Sequence, residues 1–471
     1  MHCRRFLPLL SRRDMLRKCA NGFGAVALAS LLEEQARSAP ADPFSPRPPH
    51  FPARARSVIF LYMDGGPSQL DTFDPKPRLA REHGQRLRAR VEPTQFNNVG
   101  TVMQCPWRFR NYGQSGIPVS DLFPHTAQCV DDMAIVRSMV SNFSEHTNAN
   151  YFLHSGHGQQ GRPSMGSWVT YGLGSECQNL PAFVVLDSGQ IPPGGLDCFG
   201  NGFLPATYQG SLFRGGPEPV ADLRSGQVAT SERSTQSKMN LIRRLDQAAL
   251  ERAGHNDQLE AAIANFELAA RMQTAVPELI DLSGETQATR RLYGLDDPVT
   301  ETYAQRCLVA RRLIERGVRF VEVLCPPTGG DRWDQHSNLY QGHLNNARAT
   351  DKPVAGLLRD LKARGLLDST LVVWGGEFGR TPMAQGTDGR DHNPFGFTMW
   401  LAGGGIKGGT IYGATDDYGY HVIDGKVEIH DLHATMLHLL GMEHTRLTYR
   451  FGGRDMRLTD VHGEIIRGIL S

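Results

Sequence analysis

Five residues from four separated passages of this 471-residue chain could do chemistry together. Asp64 closes the apolar run "SVIFLYM" and is followed by Gly65 and Gly66. Asp334 and His336 stand in "CPPTGGDRWDQHSN", after "RFVEVL". Glu377 follows "LVVW" in "WGGEFGRTP", and His392 stands in "GTDGRDHNPFGF", just ahead of a further apolar run. Carboxylates and imidazoles are the side chains that hold divalent cations. A lone acid in such a place most often caps a helix or closes a turn, and a lone histidine is most often a hydrogen-bonded structural residue. Recurrence at the ends of several apolar segments points beyond that, to one shared cation. Oxygen-rich ligation favours calcium or magnesium, whereas His336 and His392 favour zinc or manganese.

Such residues meet only if the segments that carry them share an edge. Strand patterns recur at 57–63, 133–139, 182–187, 319–324, 371–375 and 397–402. Most are continuous apolar runs rather than alternating ones, as expected for strands covered on both faces. Helical patterns fall at 236–274 (two helices, or one interrupted near Gly254), 298–316, 351–364 and 430–441. The alternation predicts an α/β fold, a mostly parallel sheet sandwiched between helices. In such sheets ligands bind beyond the carboxyl ends of the strands, where Asp64 and Glu377 are expected. The stretch from 188 to about 290 reads as an insertion, glycine- and proline-rich at first and then helical.

The first 41 residues read as an export signal. Arg12-Arg13 precedes "CANGFGAVALASLL", an apolar run of roughly 14 residues, short of the about 20 that a membrane span needs. The paired arginines resemble a twin-arginine signal, and "SAPA" offers a cleavage point after Ala41. Residues 42–56 are a proline-rich lead-in to a domain over 57–471. Removing 1–41 takes away seven Lys/Arg and three Asp/Glu, which moves the formal charge from +1 to −3. No basic face for nucleic acid is implied, no membrane-spanning segment follows the signal, and an exported, periplasmic or extracellular location is expected. Six of the eight cysteines remain, far apart and without Cys-x-x-Cys, so a zinc–thiolate cluster is not indicated; their spacing leaves any disulfide pairing open.

The order "MDGG", "PS-x-G", "DxH", "GGEFGR" and "DH" resembles the sulfatase-like, twin-arginine-exported proteins of unknown function in the alkaline phosphatase superfamily. "LLRDLKARGLLDSTLVVWGGEFGRTP" and "HDLHATMLHLLGM" resemble the helix–strand–acid passage and the C-terminal helix of that superfamily. The likeness covers nearly all of 57–460. It implies an alkaline phosphatase/sulfatase-like sandwich with a metal-centred, ester-cleaving site. Asp64 then matches the first-strand metal acid, Asp334, His336 and His392 one metal position, and Glu377 the acid of a second. Two departures stand out. Asp334 and His336 are separated by one residue where phosphatases have three, and Phe378 stands where they have a histidine, so the resemblance favours one metal over two.

The same resemblance asks for a nucleophile. In "GRPSMGSWVTYGLG", Pro163 and Ser164 align with the sulfatase motif, but Gly161 takes the place of its cysteine and cannot become formylglycine. Ser164 is then the candidate attacker, or else the N-cap of the helix that follows it. A metal-bound water is the alternative attacker. Arg380 could clamp the anionic oxygens or pair with a nearby acid. His146, His154 and His157 in "EHTNANYFLHSGH" are unranked candidates for leaving-group acids or further ligands. The expected function is an exported metal-dependent hydrolase of phosphate or sulfate esters, its substrate an anionic ester such as a sulfated or phosphorylated glycan. The rival from another class is a non-catalytic surface protein that binds metal or anionic glycan in a degenerate site.

Overall fold

All six apolar runs form strands. The computed structural model describes residues 44–94, 99–216, 219–220, 232–254, 257–329 and 332–471; the expected export signal lies outside them. In chain order the strands of the main sheet and of the hairpin beside it are β1 (Ser57–Tyr62), β2 (Met133–Val140), β3 (Phe183–Leu186), β4 (Ser211–Phe213), β5 (Phe320–Leu324), β6 (Thr370–Gly375), β7 (Gly379–Gln385), β8 (Gly389–Asn393), β9 (Phe397–Ala402), β10 (Thr410–Tyr412) and β11 (Val427–Glu428). The main sheet runs β10-β2-β9-β6-β1-β5-β3-β4, with β11 also beside β2. Every pairing is parallel except those of β9, which runs antiparallel to β2 and β6. The sheet is thus mostly parallel and flanked by helices, as the continuous apolar strands require.

Register decides where the chemistry goes. Tyr62 at the end of β1 pairs with Leu324 of β5 and with Gly375 of β6. Three central strands therefore finish level, and the loops that carry Asp64, Arg332–His336 and Glu377 leave the same edge. Gly65 lets two of them touch: its φ is +102°, and a Cβ there would sit 2.7 Å from the Asp334 nitrogen. Only glycine takes that conformation and that approach together.

The α-helices longer than five residues are α1 (His146–Ser155), α2 (Met165–Leu173), α3 (Glu232–Ala253), α4 (Asp257–Ile280), α5 (Gln287–Tyr293), α6 (Glu301–Glu315), α7 (Leu339–Ala363) and α8 (Ile429–Leu439). The 236–274 pattern resolves into two helices, α3 ending at Gly254, whose φ is +66°. The stretch read as an insertion contributes more than helices, because its β4 extends the main sheet at one edge. Helix α7 begins twelve residues ahead of the expected 351. The polar "LYQGHLNNARAT" that opens it hides its period, yet this first half carries buried His343, Asn346 and Thr350. The end of the lead-in is pinned rather than loose, with the Arg54 and Ala55 amides bonded to the Leu439 carbonyl at 2.8 and 2.9 Å. All six cysteines beyond residue 41 are unpaired. Among the described residues, no helix is long and apolar enough to cross a membrane.

Candidate metal centre

Four side chains converge on one point above the central strands. One ligand atom from each of His146, Asp334, His336 and His392 lies within 4.8 Å of every other. His146 is the first residue of α1, whose start is fixed by Glu145 accepting from the Thr147 and Asn148 amides at 3.0 Å each. Asp334 and His336 come from the loop between β5 and α7. His392 comes from the β7–β8 hairpin, directly opposite Arg380. That hairpin abuts the loop at Gly389, where any Cβ would overlap the His336 carbonyl.

The outer partners set which nitrogen faces inward. His392 Nδ1 lies 2.5 Å from the Ser144 carbonyl, which can only accept, so that nitrogen carries the hydrogen. His146 Nδ1 faces a Glu377 carboxylate oxygen at 2.6 Å, and His336 Nδ1 faces the Gln385 side-chain oxygen. Each ring is thereby held through Nδ1, and all three Nε2 atoms turn toward Asp334. His336 Nε2 and His392 Nε2 stand 2.9 Å apart, and 3.0 and 3.1 Å from Asp334 Oδ1. His146 Nε2 is 3.1 Å from Asp334 Oδ2 without the alignment of a hydrogen bond, and it is buried with no other partner. An outer acceptor fixing the ring while the other nitrogen faces a shared centre is the arrangement of metal-ligating histidines. For ligands on a tetrahedral zinc-sized ion, separations of about 3.4 Å are expected from the bond lengths, near the 2.9–3.1 Å of the shorter pairs here, the whole set lying within 4.8 Å. The residues fit a divalent cation.

Charge around the cluster is strongly biased. Burial raises the Asp334 carboxyl, but Arg380 and the three histidines outweigh it and hold it far below the usual range. Burial lowers His392 to about 4 despite Asp334, so its ring is neutral near pH 7. Burial would also lower His146, but Asp334 and Glu377 together hold it up at about 10 when no cation is bound.

Asp64 and Glu377 form a second, contiguous group. The Tyr62 hydroxyl lies 3.1 Å from Glu377 Oε2 and 3.4 Å from Asp64 Oδ1 and is bonded to Asn150 as well, while the Gly65 amide donates to Glu377 Oε1 at 3.0 Å. Asp64 pairs with Arg332. Burial and Glu377 raise the Asp64 carboxyl to about 6 against the pull of Arg332 and His146. Burial raises Glu377 too, but His146 overcomes it and the group stays low.

Residues 55–470 match the model of a family described as Protein of unknown function (DUF1501). The chain belongs to that family. No curated protein matches it. Among solved structures, it is similar to the lipoteichoic acid synthase LtaP from Listeria monocytogenes (11% identity, 91% of this chain and 80% of that one, TM-score 0.36). It is also similar to the PsFucS1 sulfatase from Pseudoalteromonas sp. (13%, 89% and 71%, 0.34). A third is the alkaline phosphatase from the Antarctic bacterium TAB5 (9%, 83% and 99%, 0.35). At such scores these are loose likenesses of architecture, and the site of this DUF1501 chain is read from its own atoms.

Of the five expected ligands, Asp334, His336 and His392 share the cluster. Glu377 reaches it through His146, and Asp64 stands further back, linked to Glu377 through the Tyr62 hydroxyl. His146 was one of three unranked histidines; its mark in the sequence is the acid directly before it, Glu145, the cap that makes it the first residue of a helix. Of the other two, His154 is paired in the core with Glu322 at 2.7 Å, and His157 stays beside Gln159. Arg380 takes the acid-pairing role. Its Nε donates to the Gly66 carbonyl, Nη1 to the Arg390 carbonyl, and Nη2 to the Gly65 carbonyl and to Asp334 at 2.5 Å, so every nitrogen is engaged and no two-pronged edge is left for a substrate. Ser164 is the N-cap of α2: its Oγ accepts from the Ser167 amide at 3.3 Å and meets the Ser167 hydroxyl at 2.9 Å. Replacing Ser164 with alanine is therefore expected to cost about 1 kcal/mol in urea unfolding, the loss of a cap, and to leave metal binding unchanged. Weakened metal binding in that variant would show that the serine serves the cluster.

Proposed function

We propose that this protein is an exported hydrolase of phosphate or sulfate esters that works with one divalent cation held by His146, Asp334, His336 and His392. The observation that carries the reading is the convergence of three ring nitrogens on one carboxylate: the Nε2 atoms of His146, His336 and His392 lie 3.1, 3.0 and 3.1 Å from the Asp334 oxygens, and each ring is anchored from outside through Nδ1. Three nitrogens and one carboxylate suit zinc or manganese better than calcium or magnesium. A bound cation would polarise the ester and neutralise charge on its oxygens. The protein's own share is to hold that centre: Glu377 orients His146, Arg380 keeps Asp334 ionised, and Ser144 fixes the tautomer of His392. Asp334 and His336 are the exposed members, at 29% and 27% of their side-chain surface, so substrate approaches from their side.

The test is a panel of aryl phosphate and sulfate esters assayed with zinc, manganese, magnesium or calcium. Metal-dependent turnover supports the proposal. Stoichiometric metal binding with no turnover across the panel would instead favour the non-catalytic binding protein.

Proton release gives a separate expectation. Near neutral pH, Asp334 is already ionised and His392 already neutral, but His146 holds a proton up to about pH 10. A cation must displace it. The raised histidine loses its proton as pH rises, so metal affinity rises with pH rather than falling. Between about pH 7.5 and 9.5, the metal Kd is expected to tighten about tenfold per unit, one proton per ion. Chelator competition measures this; a flat profile would mean that His146 is not a ligand.

A further inference from the structure

Arg380 has no free nitrogen, yet a site for anionic esters needs a group that grips the anion. Arg332 has what Arg380 lacks. Its side chain is 2% exposed, and its Nη1 pairs with Asp64. Its Nε and Nη2 are buried with no hydrogen-bond partner. Those two N–H groups lie along one edge of the planar guanidinium, the edge that donates to two oxygens of a carboxylate or phosphate side by side. A buried donor left empty is costly and calls for a reason.

The backbone is arranged to keep the group there. Arg332 has a φ of +41°, uncommon for a residue with a side chain. Its carbonyl accepts from the side-chain amides of Gln335 and Asn346, and the next amide, Trp333, bonds the Asp64 carbonyl at 3.3 Å. The turn is thus clamped to the end of β1, and two residues later it delivers Asp334 to the metal cluster. Asp64 neutralises part of the arginine's charge through Nη1 and leaves the Nε–Nη2 edge without a hydrogen-bond partner. Strain of this kind, held by several contacts, is typical of functional positions.

We propose that the Nε–Nη2 edge of Arg332 binds the tetrahedral oxyanion of the substrate, two oxygens at once, beside the cation. The proposal rests on the ester-hydrolase reading and names its anion-binding residue. Phosphate and sulfate share this geometry, so each is tested separately.

The experiment is calorimetric titration of the metal-loaded protein with inorganic phosphate and, in a second arm, inorganic sulfate. The wild type is expected to bind at least one of them, and the tighter arm names the ester class. Arg332→Lys keeps a positive charge for Asp64 but has no two-pronged edge. It is expected to weaken the preferred anion about tenfold or more, with metal stoichiometry and Tm held. Wild-type affinity in that variant, or no binding of either anion by the wild type, overturns the proposal. If the lysine variant does not fold, a wild-type crystal with bound phosphate or vanadate decides. An anion within hydrogen-bond distance of Nε and Nη2 supports the assignment, and an anion elsewhere refutes it. Ester turnover with anion binding indifferent to Arg332 would sink this assignment and leave the hydrolase standing. Anion binding that depends on Arg332, with no ester turned over, would do the reverse.

Discussion

Asp334→Asn is expected to weaken metal binding by more than about 100-fold, beyond what the loss of a supporting partner costs such a site, while the chain stays folded. Asp334 is the only carboxylate in the four-residue cluster, and all three inward nitrogens are 3.0–3.1 Å from its oxygens. Asparagine keeps the shape and one oxygen for Arg380 but removes the charge that offsets the cation. Arg380 retains its bonds to the Gly65, Gly66 and Arg390 carbonyls, so the fold has three anchors left at that position. The cation, in contrast, would face three neutral nitrogens beside a buried guanidinium now without its acid. Metal analysis after dialysis should therefore fall from one ion per chain toward none, with the metal-free Tm close to wild type. A variant that still retained one ion would mean that the cation sits elsewhere, with Asp64 and Glu377 the first place to look.

How far the sequence reaches can be judged from where each of these residues sits. The central strands were legible because burial on both faces leaves uninterrupted apolar runs, and the acids at their ends stood out against them. Register then brought Asp64 and Glu377 to one edge, as a parallel sheet must. What stayed hidden depends on contacts rather than pattern. The β7–β8 hairpin reads "GRTPMAQGTDGRDHN", with a proline and few apolar residues, because it is buried mostly against loops and charges, with Met383 in a small apolar cluster apart from the main core. The reversed direction of β9 leaves no mark on "FTMWLA", since a buried strand looks the same either way. The two possible roles of Arg380 could be separated only once its neighbours were in place. Arg332 carried no signal at all, for an empty guanidinium edge is a property of surroundings, not of spacing.

The hairpin that brings His392 is itself held by a charge pair, and breaking it should be the most destabilising single change near the site. Arg390 and Asp71 are both wholly buried, joined at 2.8 and 3.3 Å. The network around them is nearly complete: Ser68 donates to Asp71 at 2.5 Å, and Arg390 donates to the Thr381 and Met103 carbonyls at 3.0 and 3.1 Å. Asp71→Ala would leave the guanidinium charged, buried and unpaired, and such a change costs about 3–5 kcal/mol. Removing both partners, as Asp71→Leu with Arg390→Met, should recover much of that, because no buried charge then remains. Metal affinity should behave differently. Arg390 lies two residues before His392, at the irregular step of the hairpin, and its bonds to Thr381 and Met103 set how the strand is presented. The double variant is therefore expected to regain stability in denaturant unfolding of the metal-free protein without regaining the wild-type metal Kd. Should Asp71→Ala cost less than about 1 kcal/mol, the range of an exposed pair, the ion pair is not what fixes the hairpin. Should the double variant bind metal like the wild type, the position of His392 is set by Ser144 and the rest of the hairpin alone.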